Sequence, residues 1–210
     1  MDDKNKKAIA IYDAIAEEYA NKFDPIESDD DLIFPNTFLS YLEPEMEIVD
    51  LGCGTGFSAN YFVKNNMRVD GVDLSKSMIA IAQRNYPKII FHLDDIRQFK
   101  SDKMVDAVWA GYSLFHFEQK DFEDTLKRIK TYLKLGGILG IAMQEGKGEV
   151  EINEPFLSGE KIYIHLYIKE ELLFILKKYG FEVVDQKIKK ANIDYEFSFN
   201  KILLIAKHLK

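Results

Sequence analysis

At 210 residues and a formal net charge of −7, the chain is long enough for one α/β domain and too acidic to favour a nucleic-acid or anionic-membrane partner. Its single cysteine, Cys53, excludes an internal disulfide and a cysteine-based structural zinc site. No stretch has the length of a transmembrane helix or the apolar core of a signal peptide, so a cytoplasmic protein is expected.

Ala8, Ile11, Ile15, Ala16 and Tyr19 recur at helical spacing and predict an amphipathic helix near residues 4–22. "DPIESDDDLIFPN" carries turn chemistry and reads as a loop, followed by a helical turn over 37–42 that Pro44 closes. "MEIVDL" is a first strand, the glycine-rich "GCGTG" a turn, and 58–65 a helix. "RVDGVDL" is a second strand. Ser75 is placed to cap a helix through "KSMIAIAQRNY", which stops at Pro87. "KIIFHL" is a third strand ending at Asp94 and Asp95, and "MVDAVWA" a fourth. A helix over 121–133 is expected to end at the glycines of "LKLGG", before a fifth strand "GILGIAM".

A polar segment then interrupts the alternation, at about 145–167, and within it "EINEPFLSGEKIYIHLY" suits a β-hairpin. "KEELLFILKKYG" is a helix, and "FEVVDQKI" and "KILLIAKHL" are closing strands. "KIKK", residues 187–190, reads as a solvated strand edge or turn. The last two strands are joined by too short a polar link for a crossover helix, so they pair antiparallel. The expected fold is α/β and Rossmann-like: a seven-stranded, mostly parallel sheet with helices on both faces and an antiparallel last strand. A single domain, 1–210, accounts for the whole pattern. Ligands of such folds bind outside the carboxyl ends of the strands, where the strand order switches, and the 145–167 insertion leaves a strand at that end.

In "VDLGCGTGFSA" the glycines stand at Gly52, Gly54 and Gly56. Phe57 occupies the place of the third glycine of a dinucleotide fingerprint, and no Gly-Lys-Ser/Thr follows, which opposes both pyrophosphate cradles. Asp50, just before the turn, repels phosphate and favours a cation. Asp73 ends the second strand, where an acidic side chain takes a ribose diol. A nucleoside with a positively charged end fits these parts, and S-adenosylmethionine is such a molecule.

The succession "VDLGCGTG", "GVDLSKSMIAIA", "DDIRQF", "VDAVWAGYSLFHF", "LKLGGIL" and "KYGFEVV" resembles the class I S-adenosylmethionine-dependent methyltransferases, especially the group acting on small molecules. The resemblance spans roughly residues 10–208. It implies that backbone at Gly52, Cys53 and Gly54 approaches the methionine part of the cofactor. Asp50 would order the turn or receive the amino group through water. Asp73 would hold the ribose hydroxyls, with Leu74 and Met78 walling the adenine. Asp95 would accept from the adenine amino group beside Ile96, with Asp94 as the alternative. The N-terminal "IYDAIAEEYANKF" resembles a helical lid, about residues 1–43, that would bring Tyr12 and Tyr19 over the cofactor tail; both also read as core. S-adenosyl-L-homocysteine would be the product.

The acceptor pocket is expected from Tyr112, Ser113, Phe115 and His116 after the fourth strand, and from His165 if the insertion folds back. His116 reads either as a general base or as a hydrogen-bonded part of the site wall. Trp109 alternates with Val105 and Ala107 and reads as core, Cys53 suits packing rather than nucleophilic attack, and His92 and His208 carry no assigned role. No metal-ligand spacing is present, so a metal-dependent transfer is disfavoured. A small-molecule acceptor is favoured. Three other readings stay open: a methyltransferase acting on macromolecules, a non-catalytic cofactor binder and a nicotinamide-dependent dehydrogenase. The first lacks an Asn/Asp-Pro-Pro-Tyr stretch at "AGYSLF", and the last lacks its third glycine.

Overall fold

In the computed structural model residues 3–24, 32–191 and 199–209 are described. The amphipathic N-terminal stretch forms α1 (Asp3–Phe23), and α2 (Ile33–Leu39) follows. The chain then alternates through β1 (Glu47–Leu51), α3 (Phe57–Lys64), β2 (Arg68–Asp73), α4 (Lys76–Asn85), β3 (Ile90–Leu93) and β4 (Val105–Gly111). A 3-10 turn, Leu114–His116, leads to α5 (Gln119–Ile129) and β5 (Leu133–Gln144). The hairpin strands β6 (Gly148–Asn153) and β7 (Lys161–Leu166) precede α6 (Lys169–Lys178), β8 (Phe181–Lys189) and β9 (Lys201–His208).

Seven strands form one sheet in the order β3-β2-β1-β4-β5-β9-β8. β1 to β5 are mutually parallel, and β9 runs antiparallel to both β5 and β8. The period of two along each strand gives the sheet two buried faces. On β4, Ala107 and Trp109 pack with Phe38 of α2, Phe62 of α3 and Ile79 of α4. Val108 and Ala110 face the other way, onto Phe122 and Leu126 of α5 and Leu172 and Ile175 of α6. Trp109 is 2% exposed and lies against the rings of Phe38 and Phe62, in the core as expected, but an irregularity between Val105 and Ala107 puts Val105 in the opposite cluster. The strand order reverses between β1 and β4, so a crevice opens at their carboxyl ends.

The Ser75 cap is present, its hydroxyl oxygen accepting from the Met78 N–H. Two elements depart from the sequence reading. Residues 25–31 of the predicted loop lie outside the described residues, but Ile33–Asn36 are helical and the helix ends at Leu39, not at residue 42. Pro35 falls in the first turn, where a missing N–H costs no helical bond, so the proline starts the helix instead of marking a loop. The second departure is "LKLGG". The helix before it stops at Ile129, and Leu133 already pairs with Val105 in the sheet. Buried Tyr132 and Leu133 pull the chain into the core there. The glycines instead serve an irregularity of β5, where Gly136 has a φ of 79°.

The insertion is an antiparallel hairpin, Gly148 opposite Leu166 and Asn153 opposite Lys161. Ile162 packs with Ala8, Ile11 and Ile15 of α1, so helix and hairpin share a small core of their own. β8 is the edge strand, and Lys187 to Lys189 of "KIKK" lie on it.

Candidate functional site

Backbone geometry shapes the turn after β1 first. Gly52, Gly54 and Gly56 all have positive φ, at 75°, 52° and 86°. A Cβ on Gly52 would lie 2.2 Å from the Cβ of Ser113, so the loop after β4 leaves room only for glycine. Ser113 is fixed there by donating its hydroxyl to the Leu51 carbonyl at 2.6 Å. The amides of Gly52 and Cys53 donate to the Val72 carbonyl, Gly56 donates to Cys53, and Gly54 donates to the Asp73 carboxylate. These four N–H groups are therefore spent within the protein and form no anion cradle.

The turn opens on a cavity of about 730 Å³ whose wall carries several carboxyls. Asp73 accepts from Gly54 N–H at 2.9 Å with one oxygen and from Ser75 N–H at 2.8 Å with the other. Burial raises its pKa, and those backbone bonds oppose the rise. Asp50 is 1% exposed, and one of its oxygens, Oδ2, has no hydrogen-bond partner among the described residues. Burial, with the charge of Asp73, pushes the Asp50 carboxyl up to about 8, against a backbone bond from Ala59. A buried carboxyl oxygen with nothing to accept from is a place for a ligand donor, and for a cationic donor above all.

Asp95 lines the cavity and Asp94 does not. Burial would raise the Asp95 carboxyl, but the Arg97 guanidinium, 2.6 Å away at its nearest nitrogen, holds it below the usual range. Arg97 is itself braced by Asp121 at 3.1 Å.

The opposite wall is aromatic. Phe115, His116, Tyr12, Tyr19, Phe23 and Phe156 follow one another with ring centroids 4.2, 5.4, 6.2, 4.6 and 5.9 Å apart. This ribbon runs from the turn after β4 through α1 to the hairpin connection. His116 is pinned at both nitrogens. Its Nδ1 lies 3.1 Å from the Tyr163 carbonyl oxygen, which only accepts, so Nδ1 carries the proton. Nε2 then accepts from the Tyr12 hydroxyl at 2.9 Å. Burial draws the imidazole down to about 4, partly countered by the Tyr163 carbonyl, so His116 is neutral near neutral pH. Burial pushes the Tyr12 hydroxyl well above its ordinary value, and the charges of Tyr19, Glu154 and Asp73 push the same way.

The cavity brings together Tyr12, Tyr19, Asp50, Gly52, Cys53, Gly54, Asp73, Leu74, Met78, Asp95, Ile96, Tyr112, Ser113, Phe115 and His116. Cys53 is 7% exposed and packs in the core beneath Gly71, as its packing role anticipates. His165 is not brought in: on β7 it stacks on Tyr167, 4.3 Å between centroids, with Glu149 3.8 Å away. The hairpin does fold back over the site, but its register sends Glu154 and Phe156, from the connection between its strands, to the cavity instead. Asp24, Gln144 and Lys201 line the cavity with no motif to mark them, whereas Glu154 belongs to the 145–167 insertion and Lys189 to "KIKK", which reads as a solvated edge. Among the described residues no group of His, Cys, Asp and Glu is arranged to hold a metal ion, and no helix is long and apolar enough to cross a membrane.

Comparison with known proteins matches residues 48–137 to the methyltransferase domain family. Trans-aconitate 2-methyltransferase of Enterobacter sp. strain 638 is 34% identical over 110 residues, covering 51% of this chain and 43% of that protein. The chain thus spans less than half the length of the curated relatives it matches. Among solved structures, the Burkholderia thailandensis 1,6-didemethyltoxoflavin-N1-methyltransferase aligns over 100% of this chain and 92% of its own. Its TM-score is 0.75 at 16% identity, and it was solved with 1,6-didemethyltoxoflavin and S-adenosylhomocysteine bound. A cyclase of the 4+2 type has the same fold, with a TM-score of 0.74 at 20% identity over 96% of this chain and 95% of its own.

Proposed function

We propose that this chain is a class I S-adenosylmethionine-dependent methyltransferase, a reading supported by the methyltransferase domain matched over residues 48–137 and by its relatives, and that it transfers a methyl group from S-adenosylmethionine to a small-molecule acceptor. One observation carries the reading. Gly52, Cys53, Gly54 and Gly56 spend their amides internally, while Asp50 beside them keeps a buried carboxyl oxygen with no partner among the described residues. That combination turns a pyrophosphate away and suits a ligand whose near end is a cationic amine. The nicotinamide alternative needs the opposite arrangement.

The residues lining the cavity fit the cofactor part by part. Backbone at Gly52, Cys53 and Gly54 lines the cavity and approaches the methionine moiety. Asp73, already fixed by Gly54 and Ser75, keeps lone pairs for the ribose hydroxyls. Leu74, Met78 and Ile96 wall the adenine, and Asp95, oriented by Arg97, meets its amino group. Bound there, S-adenosylmethionine supplies a methyl group already activated by its sulfonium. The aromatic ribbon of Tyr12, Tyr19 and Phe23 faces that positive charge and excludes water. Catalysis by the chain is then mainly alignment of an acceptor in line with the methyl. His116 holds Tyr12 in that wall and has no nitrogen left over to act as a free base.

Calorimetric titration with S-adenosylmethionine and with NAD tests this. The first is expected to bind and the second not. Asp73→Ala is expected to weaken S-adenosylmethionine binding by about tenfold or more, since it removes a charged acceptor and loosens the turn. Unchanged affinity would refute the cofactor placement. A second reading is a chain that binds the cofactor without transferring its methyl group; a solved structure of the same fold is named a cyclase. Labelled S-adenosylmethionine incubated with metabolite extract separates the two. A labelled small molecule supports transfer, label in protein or nucleic acid supports a macromolecular acceptor, and tight binding without any labelled product supports the second reading.

A further inference from the structure

The carboxyls on the cavity wall fall into two groups. Asp50 and Asp73 flank the glycine turn, Asp24 is bonded to Thr55 within it, and Asp95 is paired with Arg97. Glu154 stands apart from these, brought in by the connection between the hairpin strands. The basic side chains of the same wall are committed elsewhere. Arg97 is held between Asp95 and Asp121, and Lys22, Lys189 and Lys201 have contacts of their own.

Glu154 is only 6% exposed. Its backbone is fixed on both sides: the N–H donates to the Glu160 carbonyl at 3.0 Å, and the carbonyl accepts from the Leu157 N–H at 3.4 Å. Lys7 of α1 pairs with Glu160 at 3.3 Å and ties the connection down. On the side chain, Oε1 accepts from the Phe156 N–H at 3.2 Å. Among the described residues no cation pairs with the carboxylate, and burial raises its pKa against that backbone bond. A glutamate this buried is seldom left without a positive partner, because its carboxylate gives up strong hydration.

Its surroundings are aromatic. The Phe156 ring lies 5.9 Å from that of Phe23, which lies 4.6 Å from that of Tyr19. The charges of Glu154 and Asp73 both reach the Tyr12 hydroxyl, so the hairpin carboxylate and the ribose carboxylate have that side chain as a common neighbour. A carboxylate among ring faces holds an ammonium group, with full charge on one side and ring quadrupoles on the others.

We infer that Glu154, with Phe156 and Phe23, forms an ammonium-binding corner of the acceptor site, so that the methyl acceptor is an amine. The inference rests on the methyl-transfer reading and names its substrate class. An alkylamine arrives protonated near neutral pH. One proton of the ammonium then passes to Glu154, the freed nitrogen pair bonds the methyl carbon, and the C–S pair stays on sulfur. The proton on Glu154 is lost to solvent with the product.

The test is calorimetric and needs no turnover. Protein saturated with S-adenosylhomocysteine is titrated at neutral pH with benzylamine, with neutral benzyl alcohol and with anionic phenylacetate. Benzylamine is expected to bind about tenfold or more tighter than the alcohol. Glu154→Gln, of the same shape, is expected to bring the amine down to the alcohol's affinity and to leave S-adenosylhomocysteine binding within about twofold. Phe156→Leu is expected to weaken the amine by about threefold. Circular dichroism reports folding, and the comparison of amine with alcohol on the parent protein decides the inference even where a variant does not fold. Amine no tighter than alcohol, phenylacetate tighter than either, or amine binding unchanged in Glu154→Gln or Phe156→Leu would overturn it. So would an equal loss of S-adenosylhomocysteine affinity in Glu154→Gln, which would give that carboxylate to the cofactor. If S-adenosylhomocysteine itself fails to bind the parent, the methyl-transfer reading falls, and titration of the ligand-free protein with the same three probes still decides the corner.

Discussion

The Tyr12 hydroxyl meets His116 Nε2 at 2.9 Å while the Tyr163 carbonyl takes Nδ1, so one imidazole ties α1, the turn after β4 and the hairpin together. Its pKa falls from an ordinary histidine value near 6.5 to about 4 because the ring is buried. Between those two values the unfolded chain binds more protons than the folded one. The stability linked to His116 is thus fully present above about pH 6.5 and is lost as pH falls toward 4. After allowance for the cavity's access to solvent, the effect is on the order of 2 kcal/mol. Urea unfolding across that pH window is expected to show a shallower dependence for His116→Gln than for the parent; equal slopes would mean the ring is not held neutral. Asp50 makes the opposite kind of statement. With its carboxyl near 8, it holds a proton at neutral pH in the ligand-free protein. A cationic amine docking on its partnerless oxygen should drive that proton off. Calorimetry in buffers of different ionisation enthalpy is expected to show up to one proton released per cofactor near neutrality, fading above about pH 8.

Among the elements, α1 carries more of the site than its amphipathic pattern suggests. Asp13 accepts from the Ser75 hydroxyl at 2.6 Å and from the Ser77 N–H at 2.9 Å, so α1 caps α4 from outside. At its end Asp24 accepts from the Thr55 hydroxyl at 2.6 Å, beside the glycine turn. The Glu17–Arg84 pair is solvent-exposed and contributes little by comparison. Asp13→Ala is expected to cost about 1 kcal/mol as a lost cap. Its sharper signature is local: faster amide hydrogen exchange along α1, with the central strands unchanged, and faster cofactor dissociation. Exchange on α1 that stays at the parent's rate would show that the helix is held by its apolar face alone. The elements the sequence misplaced share a cause. Proline and glycine punctuate the sequence at 33–36 and 133–137, whereas burial of Phe34 and of Leu133 decides where the helix and the strand begin. Local residue preferences are weak against such packing.

Across the molecule, the glycine turn with Asp50 and Asp73 was legible in the sequence, as were Tyr112, Ser113, Phe115 and His116 after β4, all of which line the cavity, whereas Lys189, Lys201 and Gln144 were not. Gly52, Asp50 and Asp73 owe their places to a single turn and the ends of two adjacent parallel strands, interactions that close over about twenty residues of chain. Positive φ, strand period and a capping serine are local, so residue type alone signals them. The seven-stranded order and the antiparallel last pair follow for the same reason, from alternation and from a link too short to cross over. Lys189, Lys201, Gln144, Glu154 and Phe156 reach the cavity only because the hairpin folds back on α1 and because β9 inserts between β5 and β8. His165 shows the same dependence in reverse. It lies on the hairpin that folds back, yet the register stacks it on Tyr167, away from the cavity. Local pattern along the chain is enough for the class of fold and for the glycine turn set between Asp50 and Asp73. Long-range packing settles which further charges line the cavity and leaves His116 neutral, because burial and pairing between residues far apart in the chain have no local signature.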